Sequence, residues 1–128
     1  PGDGPGDGPG DGPAAFVVNS GNSNAFTGRL GEEAVTGVCA AAAAALGLPA
    51  ARVFTASTGV IGEPLPWQRI AAALPALRDG LGTDLEGAAR AIMTTDTFPK
   101  GAGATVALPG GAVRIAGIAK GSGMIAPD

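Results

Sequence analysis

The chain has 128 residues, of which 45% are hydrophobic, and this composition suffices to bury the core of one soluble domain. Its net charge of −3 provides no basic patch, so nucleic acids and anionic membranes would bind without their usual electrostatic attraction. Histidine is absent, which excludes a Ser-His-Asp triad, a Cys-His dyad and most zinc sites within these residues.

Targeting signals and thiol chemistry are also missing from the sequence. No apolar run approaches the roughly 18 to 20 residues needed to span a bilayer, and the first residues lack the regions typical of a signal peptide. We therefore expect a soluble, cytoplasmic protein with no nucleic-acid or membrane partner. The single cysteine, Cys39, lies in an alanine-rich run, so we interpret it as a small buried hydrophobic residue.

The first 13 residues repeat a short Pro-Gly-Asp unit that offers no apolar surface to bury. They are predicted to form a flexible tail (1–13), followed by one folded domain (14–128). The regular spacing of the aspartates is a weak signal for a calcium-binding site, because one acidic tract without a known loop pattern does not supply six or more oxygen ligands. We predict no metal site.

The folded part begins with AAFVV (14–18), which has the length and branched residues of a short buried strand. The next segment, NSGNSNAFTG (19–28), is rich in residues that favour turns and is predicted to be a tight loop. Its asparagine amides have two interpretations: they either donate towards a functional site or only stabilise the turn. The residues concerned are Asn19, Asn22 and Asn24.

A long helix is predicted over residues 30–46. Glu32 and Glu33 would lie in its first turn, and Gly47 with Pro49 would end it. Six consecutive alanines strongly favour helix. Because alanine has almost no bulk, we expect this helix to approach its neighbours closely and to be buried on more than one side.

A second strand is predicted at RVFTAS (52–57), running directly into TGVIG (58–62). This order places Thr58 and Gly59 at the end of a strand, where functional sites are common. From the residue types alone, the favoured interpretation is a tight turn that only ends the strand.

The second half of the chain alternates between helical and strand patterns. Two helices are predicted at 66–79 and 84–93, with Asp84 as the N-cap of the second and Pro75 kinking or dividing the first. A β-hairpin follows, with strands at 104–108 and 112–119 joined by a PGG turn. The elements together predict an α/β chain.

Four segments, in order along the chain, resemble signature stretches of the ornithine acetyltransferase (glutamate N-acetyltransferase) family. They are NSGNSNAFTG (19–28), STGVIGEPLP (57–66), AIMTTDTFPK (91–100) and GIAKGSGMIAPD (117–128). The resemblance extends over residues 14–128. It implies an α+β fold of the layered αββα type that self-cleaving aminopeptidases and ornithine acetyltransferases share, completed by a β chain cut from the same precursor and assembled as an (αβ)₂ heterotetramer.

The same resemblance implies an acetyltransferase of arginine biosynthesis that moves acetyl from N-acetylornithine to glutamate. In that family the precursor cuts itself within a segment resembling MIAP-x-MAT, and the new N-terminal threonine of the β chain becomes the nucleophile. This sequence stops at Asp128, so the chain is expected to be an α chain without the nucleophile. An N-terminal threonine can use its own α-amine as the base, which is consistent with the absence of histidine. No metal or prosthetic group is expected, and acetyl-CoA is an additional candidate donor.

The resemblance also assigns roles to particular residues. Thr58 and Gly59 match the oxyanion hole, where hydroxyl and backbone N–H donors stabilise the negative charge that acyl transfer builds. Thr94 and Lys120 match substrate-binding positions, and a lysine ammonium suits a substrate carboxylate. The neighbouring residues Thr95 and Asp96 are predicted to support Thr94 or only to turn the chain.

Two alternatives remain beside this interpretation. One is a related self-processing aminopeptidase or amidase, which would release its acyl group to water. The other is a noncatalytic relative that serves only as a folding or assembly partner. Acetyl transfer in the presence of a β chain would distinguish the acetyltransferase from both alternatives.

Overall fold

The computed structural model describes residues 12–122, and within them the chain is α+β, with helices and two separate two-stranded sheets. In chain order the elements are β1 (Ala15–Asn22), α1 (Gly28–Leu46), a 3₁₀ turn (Ala50–Arg52), β2 (Val53–Val60), α2 (Trp67–Asp79), α3 (Leu85–Ala91), β3 (Lys100–Leu108) and β4 (Gly111–Ala119). This mixture confirms the predicted fold class. The predicted tail lies mostly outside the described residues, as does the MIAPD end of the sequence.

Strands β1 and β2 form a parallel pair that runs from Ala15 opposite Val53 to Asn22 opposite Val60. Parallel strands need a crossover, and α1 supplies it. β1 is longer than predicted, because residues 19–22 of the expected loop at 19–28 are part of the strand. The ladder with 57–60 satisfies the backbone of 19–22, and this tertiary pairing overrides the turn preference of Asn, Ser and Gly.

Helix α1 begins at Gly28, two residues earlier than predicted. The prediction that Glu32 and Glu33 occupy its first turn is therefore wrong, since the first turn contains no acidic residue. Thr27 precedes the helix without capping it through its side chain, and the side-chain amide of Asn24 donates to the carbonyl oxygen of Gly31 at 2.9 Å. The end agrees with the prediction: Gly47 adopts a left-handed conformation (φ 68°), which favours glycine.

The core lies between α1, the β1–β2 sheet and α2, around Ala42, Val53 and Leu74. Only one face of α1 is buried. Ala40 and Ala44, on the opposite face, are exposed, so the expectation of burial on more than one side is wrong for the described part of the chain. The sheet and α2 both contact neighbouring flanks of the same stripe, which leaves the far side of the helix uncovered.

Cys39 packs against this core and is half-buried. Its Sγ lies 3.6 Å from the carbonyl oxygen of Val53 on β2. The thiol therefore sits between α1 and the sheet and fills space like a small hydrophobic side chain. The packing agrees with the interpretation drawn from the sequence, but the side chain is only half-buried and not buried as expected.

Helices α2 and α3 follow the predictions with two corrections. α2 continues through Pro75 without a break, so the predicted division is wrong; burial of the neighbouring Leu74 against α1 holds the helix together across the proline. α3 ends at Ala91, before the predicted residue 93. Its start is confirmed, because the Asp84 carboxylate accepts a hydrogen bond from the backbone N–H of Glu86 at 3.0 Å.

The predicted hairpin is confirmed and is longer than expected, because β3 already begins at Lys100. The antiparallel register places Lys100 opposite Ala119, the last residue of β4. Residue 120 follows directly, so the hairpin brings the start of one strand beside the segment that leaves the other. This closure positions two lysines, Lys100 and Lys120, at one end of the hairpin.

The second face of the β1–β2 sheet carries large apolar side chains. Phe16 and Phe54 stack there with ring centroids 5.1 Å apart, and they are 75% and 45% exposed. Neighbouring Val18 is also exposed. Among residues 12–122, no helix has both the length and the apolar character required to cross a membrane.

Close packing of α1 on α2 depends on the absence of a side chain at Gly37. A Cβ there would lie 2.5 Å from Cε3 of Trp67, inside van der Waals contact. We expect Gly37→Ala to lower the free energy of unfolding, because overpacking costs about 1–3 kcal/mol and outweighs the about 1 kcal/mol that alanine gains in a helix. Denaturant unfolding of the purified protein measures the change. Gly82→Ala, where a Cβ meets nothing within 4 Å, is the control; equal stability of both variants would contradict the packing argument.

Candidate functional site

The ammonium group of Lys120 joins two threonines that are distant in sequence. Its Nζ donates to Oγ1 of Thr58 at 2.9 Å and to Oγ1 of Thr94 at 2.8 Å. Thr58 is 62 residues away from Lys120, and Thr94 is 26 residues away. The fold therefore brings together one residue predicted for the oxyanion hole and both residues predicted to bind substrate.

Each member of this group sits at the end of a secondary-structure element. Thr58 is near the carboxyl end of β2, Thr94 follows α3 after a short turn, and Lys120 follows β4. These ends meet because Ser20, which pairs with Thr58 in the sheet, donates a hydrogen bond to the carbonyl oxygen of Ala91 at 2.6 Å. That contact fastens the end of α3 to the end of the parallel sheet.

Gly59 lies against the backbone of the neighbouring strand. It pairs with Gly21, and both residues have positive φ angles, 129° and 105°. A Cβ on Gly59 would lie 2.3 Å from the carbonyl carbon of Gly21, a distance that no side chain can occupy. The position therefore requires glycine on two grounds, conformation and space. Thr58 is the neighbouring residue in the same ladder, so this close approach also positions Thr58.

Asp96 connects the segments that carry Thr94 and Lys120. Its side chain is only 1% exposed. The Oδ1 atom accepts hydrogen bonds from the backbone N–H of Gly121 at 2.6 Å and from Nζ of Lys100 at 2.9 Å. The Oδ2 atom accepts from the backbone N–H of Thr94 at 3.2 Å. The carboxylate thus fixes the backbone on both sides of the Lys120 ammonium.

These contacts also set the charge of Asp96. The Gly121 N–H first, and then the Lys100 ammonium, hold the pKa of the Asp96 carboxyl well below its usual range, against the opposing effect of burial. The group is therefore a carboxylate at neutral pH. Nζ of Lys120 lies 4.0 Å from Oδ2 of this carboxylate, which is longer than a hydrogen bond.

Thr95 contacts the end of the described chain and not the Lys120 ammonium. Its hydroxyl lies 2.6 Å from the hydroxyl of Ser122, and either can be the donor. This contact is a second tie between the segment after α3 and the segment after β4. Thr95 therefore lies beside the residues that contact Lys120, and its supporting role stays a prediction.

The asparagines of the first signature segment are all engaged within the chain. Asn19 donates to the carbonyl oxygen of Asn22 at 2.8 Å and accepts from the Ser57 hydroxyl at 2.6 Å. Asn22 donates to the carbonyl oxygen of Glu63 at 3.1 Å. Together with the contact from Asn24 to α1, these bonds favour the structural interpretation of the three amides.

Two residues of the site were not predicted, Lys100 and Ser20. Lys100 follows Asp96 by four residues in AIMTTDTFPK, and this charge spacing was a usable signal. Ser20 lies in NSGNS, and its role follows only from the parallel register with Thr58. No sequence pattern specifies that register.

The chemistry available at this site is the binding of negatively charged oxygen. An ammonium group and two hydroxyls converge, and they suit a carboxylate or an oxyanion. Among residues 12–122 no group of three or more Asp, Glu, Cys or His side chains is placed to hold a metal ion. The site is only partly enclosed, since the Lys120 side chain is 27% exposed.

Several known proteins are similar to this chain in sequence and in fold. The model of the ArgJ family matches residues 9–128, beginning inside the segment predicted to be a tail. The arginine biosynthesis bifunctional protein ArgJ of Ruegeria pomeroyi is 63% identical over 116 residues, which are 90% of this chain and 28% of that protein. Its counterpart in Gluconobacter oxydans is 59% identical over 115 residues, 89% of this chain and 27% of that protein. The chain thus spans little more than a quarter of the length of these relatives.

Two solved structures have the same fold. The ArgJ protein of Bacillus halodurans superposes with a TM-score of 0.77 and 36% identity, covering 88% of this chain and 60% of that one. The ornithine acetyltransferase of Mycobacterium tuberculosis, solved in complex with ornithine, gives a TM-score of 0.78 and 35% identity, with coverage of 88% and 61%.

Proposed function

The chain belongs to the ArgJ family, and from that premise we propose that it forms part of an acetyltransferase of arginine biosynthesis that moves acetyl from N-acetylornithine to glutamate. One observation carries the proposal: the Lys120 ammonium bonds both Thr58 and Thr94 at the end of the parallel sheet. The ornithine complex of the Mycobacterium tuberculosis relative supports an ornithine-derived substrate.

The nucleophile of the proposed reaction is a threonine at the N-terminus of a separate β chain. Its hydroxyl oxygen attacks the acetyl carbonyl of N-acetylornithine, and its α-amine accepts the proton. The C–N bond then breaks, the amine leaves as ornithine with that proton, and the acetyl group stays on the threonine oxygen as an ester. The α-amine of glutamate attacks the ester, which yields N-acetylglutamate and restores the threonine hydroxyl.

The proposed role of Thr58 follows from hydrogen-bond direction. Because Lys120 donates to Oγ1 of Thr58, that oxygen serves as an acceptor for the lysine, and the hydroxyl proton remains available to another acceptor. We assign this proton, with the backbone N–H of Gly59, to the oxygen that becomes negative during acyl transfer. Donors fixed before the reaction stabilise that charge without reorganisation.

The proposed role of Lys120 and Thr94 is to bind the substrate. Two of the three N–H groups of Lys120 point at threonine hydroxyls, and the third is assigned to a carboxylate oxygen of the amino-acid substrate. Both N-acetylornithine and glutamate carry such a carboxylate. One ammonium would then serve the donor and the acceptor of the acetyl group in turn.

The remaining parts of the proposal concern the assembly. A β chain from the same precursor would complete an αββα sandwich by covering the exposed face that Phe16 and Phe54 form, and two such pairs would give an (αβ)₂ heterotetramer. The reaction as written needs no metal or prosthetic group. Acetyl-CoA is proposed as a second acetyl donor, and the cytoplasm as the compartment.

A chimera tests the proposed function. The segment of the Ruegeria pomeroyi protein that aligns with this chain over 116 residues is replaced by the corresponding residues of this chain, and the unmodified relative is assayed in parallel. We expect ornithine release from N-acetylornithine in the presence of glutamate, with an equal amount of N-acetylglutamate. Release of free acetate with no N-acetylglutamate would instead support an amidase. A folded chimera without either activity would support a noncatalytic assembly partner.

A further inference from the structure

The buried Asp96 carboxylate lies between two lysines and forms a hydrogen bond with only one of them. Asp96 accepts a hydrogen bond from Nζ of Lys100 at 2.9 Å, whereas Nζ of Lys120 stays 4.0 Å away. Lys120 bonds two neutral hydroxyls instead. An ammonium that prefers hydroxyls beside a free carboxylate would be unusual, because charged partners make the stronger hydrogen bonds.

We propose that Lys100 is a positioning residue: it occupies and neutralises the Asp96 carboxylate, and thereby leaves the Lys120 ammonium on Thr58 and Thr94. The consequence for catalysis rests on the proposed function. The geometric claim does not, since it concerns only which lysine the carboxylate binds.

The surroundings of Lys100 fix its ammonium in this role. Beside Asp96, the group contacts the carbonyl oxygen of Phe98 at 3.4 Å and lies 4.5 Å from the centre of the Phe98 ring. A cation over an aromatic face is stabilised electrostatically. The Lys100 side chain is 30% exposed, and its ammonium group contacts Asp96 on one side and Phe98 on another.

Asp96 needs such a partner because its side chain is almost fully buried. A carboxylate removed from water is stable only when charges and hydrogen bonds compensate it. If Lys100 were removed, the nearest remaining ammonium would be that of Lys120. A direct ion pair has an N···O distance of about 2.8 Å, so Lys120 would have to move more than 1 Å towards Asp96 and away from the threonines.

The hairpin makes the arrangement a single unit. Lys100 opens β3 and pairs with Ala119, and Lys120 follows Ala119 directly. Asp96 also accepts the N–H of Gly121, on the other side of Lys120. The two lysines and the carboxylate are therefore fixed relative to one another by the hairpin register. Lys100 acts on the site through this geometry and needs no contact with substrate.

The test uses Lys100→Met in the chimera described above. We expect kcat/KM for acetyl transfer to fall about 100-fold, the effect typical of a misplacement of about 1 Å. KM is expected to rise and kcat to fall, because Lys120 is assigned to the substrate carboxylate and also orients the Thr58 hydroxyl, which is the assigned oxyanion donor. A loss of folded protein alone would lower the apparent kcat and leave KM unchanged.

Three further variants separate positioning from general stability. Lys100→Arg keeps the positive charge and is expected to retain most of the activity. The double variant Asp96→Asn with Lys100→Met removes the charge that attracts Lys120, and we expect it to recover about 10-fold relative to Lys100→Met alone. Arg90→Met removes the exposed ion pair with Glu86, which has the same four-residue spacing, and is expected to leave activity unchanged.

A crystal structure of Lys100→Met decides the geometric claim without any assay. We expect Nζ of Lys120 to hydrogen-bond Asp96 and to lose Thr58. Lys120 remaining on both threonines, or a double variant no more active than Lys100→Met, would overturn the inference. If the unmodified chimera transfers no acetyl, the proposed function fails, and the structure of the variant still tests the role of Lys100.

Discussion

Replacement of Lys120 by methionine is expected to reduce kcat/KM for acetyl transfer in the chimera by about 10³-fold, the upper range for loss of one oxyanion-hole donor. The expected effect is large because one ammonium serves two purposes. Its Nζ donates to Oγ1 of Thr58 at 2.9 Å and so orients that hydroxyl. Together with Thr94, it is also assigned to bind the substrate carboxylate. Steady-state kinetics with N-acetylornithine and glutamate measures the change.

The control for this prediction is Arg114→Met on β4. It also removes a positive charge from the hairpin, but Arg114 is exposed and lies in the middle of its strand. Activity close to that of the unmodified chimera is expected. If Lys120→Met retained more than a tenth of the activity, neither assigned role of Lys120 would stand. If both variants lost activity equally, the cause would be the net charge of the hairpin and not the contacts of Lys120.

The elements of the fold were largely accessible from the sequence, because local signals specify them. The alanine run predicted α1, Gly47 predicted its end, and Asp84 predicted the start of α3. What local signals could not specify was where pairing overrides them. β1 continues through residues typical of a turn because β2 lies alongside, and only the tertiary ladder supplies the compensating backbone bonds.

The residues of the site were predicted less completely from the sequence than the elements of the fold. Resemblance to family signatures identified Thr58, Thr94, Lys120 and Asp96, and the fold places the four within one network of contacts. Lys100 escaped prediction although it stands in the same signature segment, because its importance depends on the hairpin register that returns residue 119 to its side. Spacing can suggest an ion pair between residues 96 and 100. It cannot reveal that a second lysine competes for the same carboxylate.

One face of the β1–β2 sheet is apolar and exposed in this chain. Phe16 and Phe54 are stacked but exposed, on the same face of the sheet as Thr58. A face of this kind belongs in a core, since burying apolar area contributes about 25 cal/mol per Å². The proposed β chain would cover it and would also bring the nucleophile to the threonine cluster. Measurements of activity therefore need the chimera and not the chain alone.

Gly59→Ala is expected to affect stability and catalysis together, because the new Cβ would meet backbone and not a side chain that can rotate away. The clash with the carbonyl carbon of Gly21, at 2.3 Å, can be relieved only if the ends of β1 and β2 separate. We expect the free energy of unfolding to fall by about 1–3 kcal/mol from overpacking, with a further cost for the positive φ. Displacement of Thr58 by about 1 Å would lower kcat/KM about 100-fold.

Gly21→Ala provides the matched control for this prediction. It changes the other glycine of the same pair, which also has a positive φ, but a Cβ there meets nothing within 4 Å. The control therefore includes the conformational cost and omits the clash. We expect denaturant unfolding and kinetics of the chimera to show a clearly smaller loss for Gly21→Ala than for Gly59→Ala. Equal losses would mean that conformation alone requires glycine here, and that the close approach of the two strands does not position Thr58.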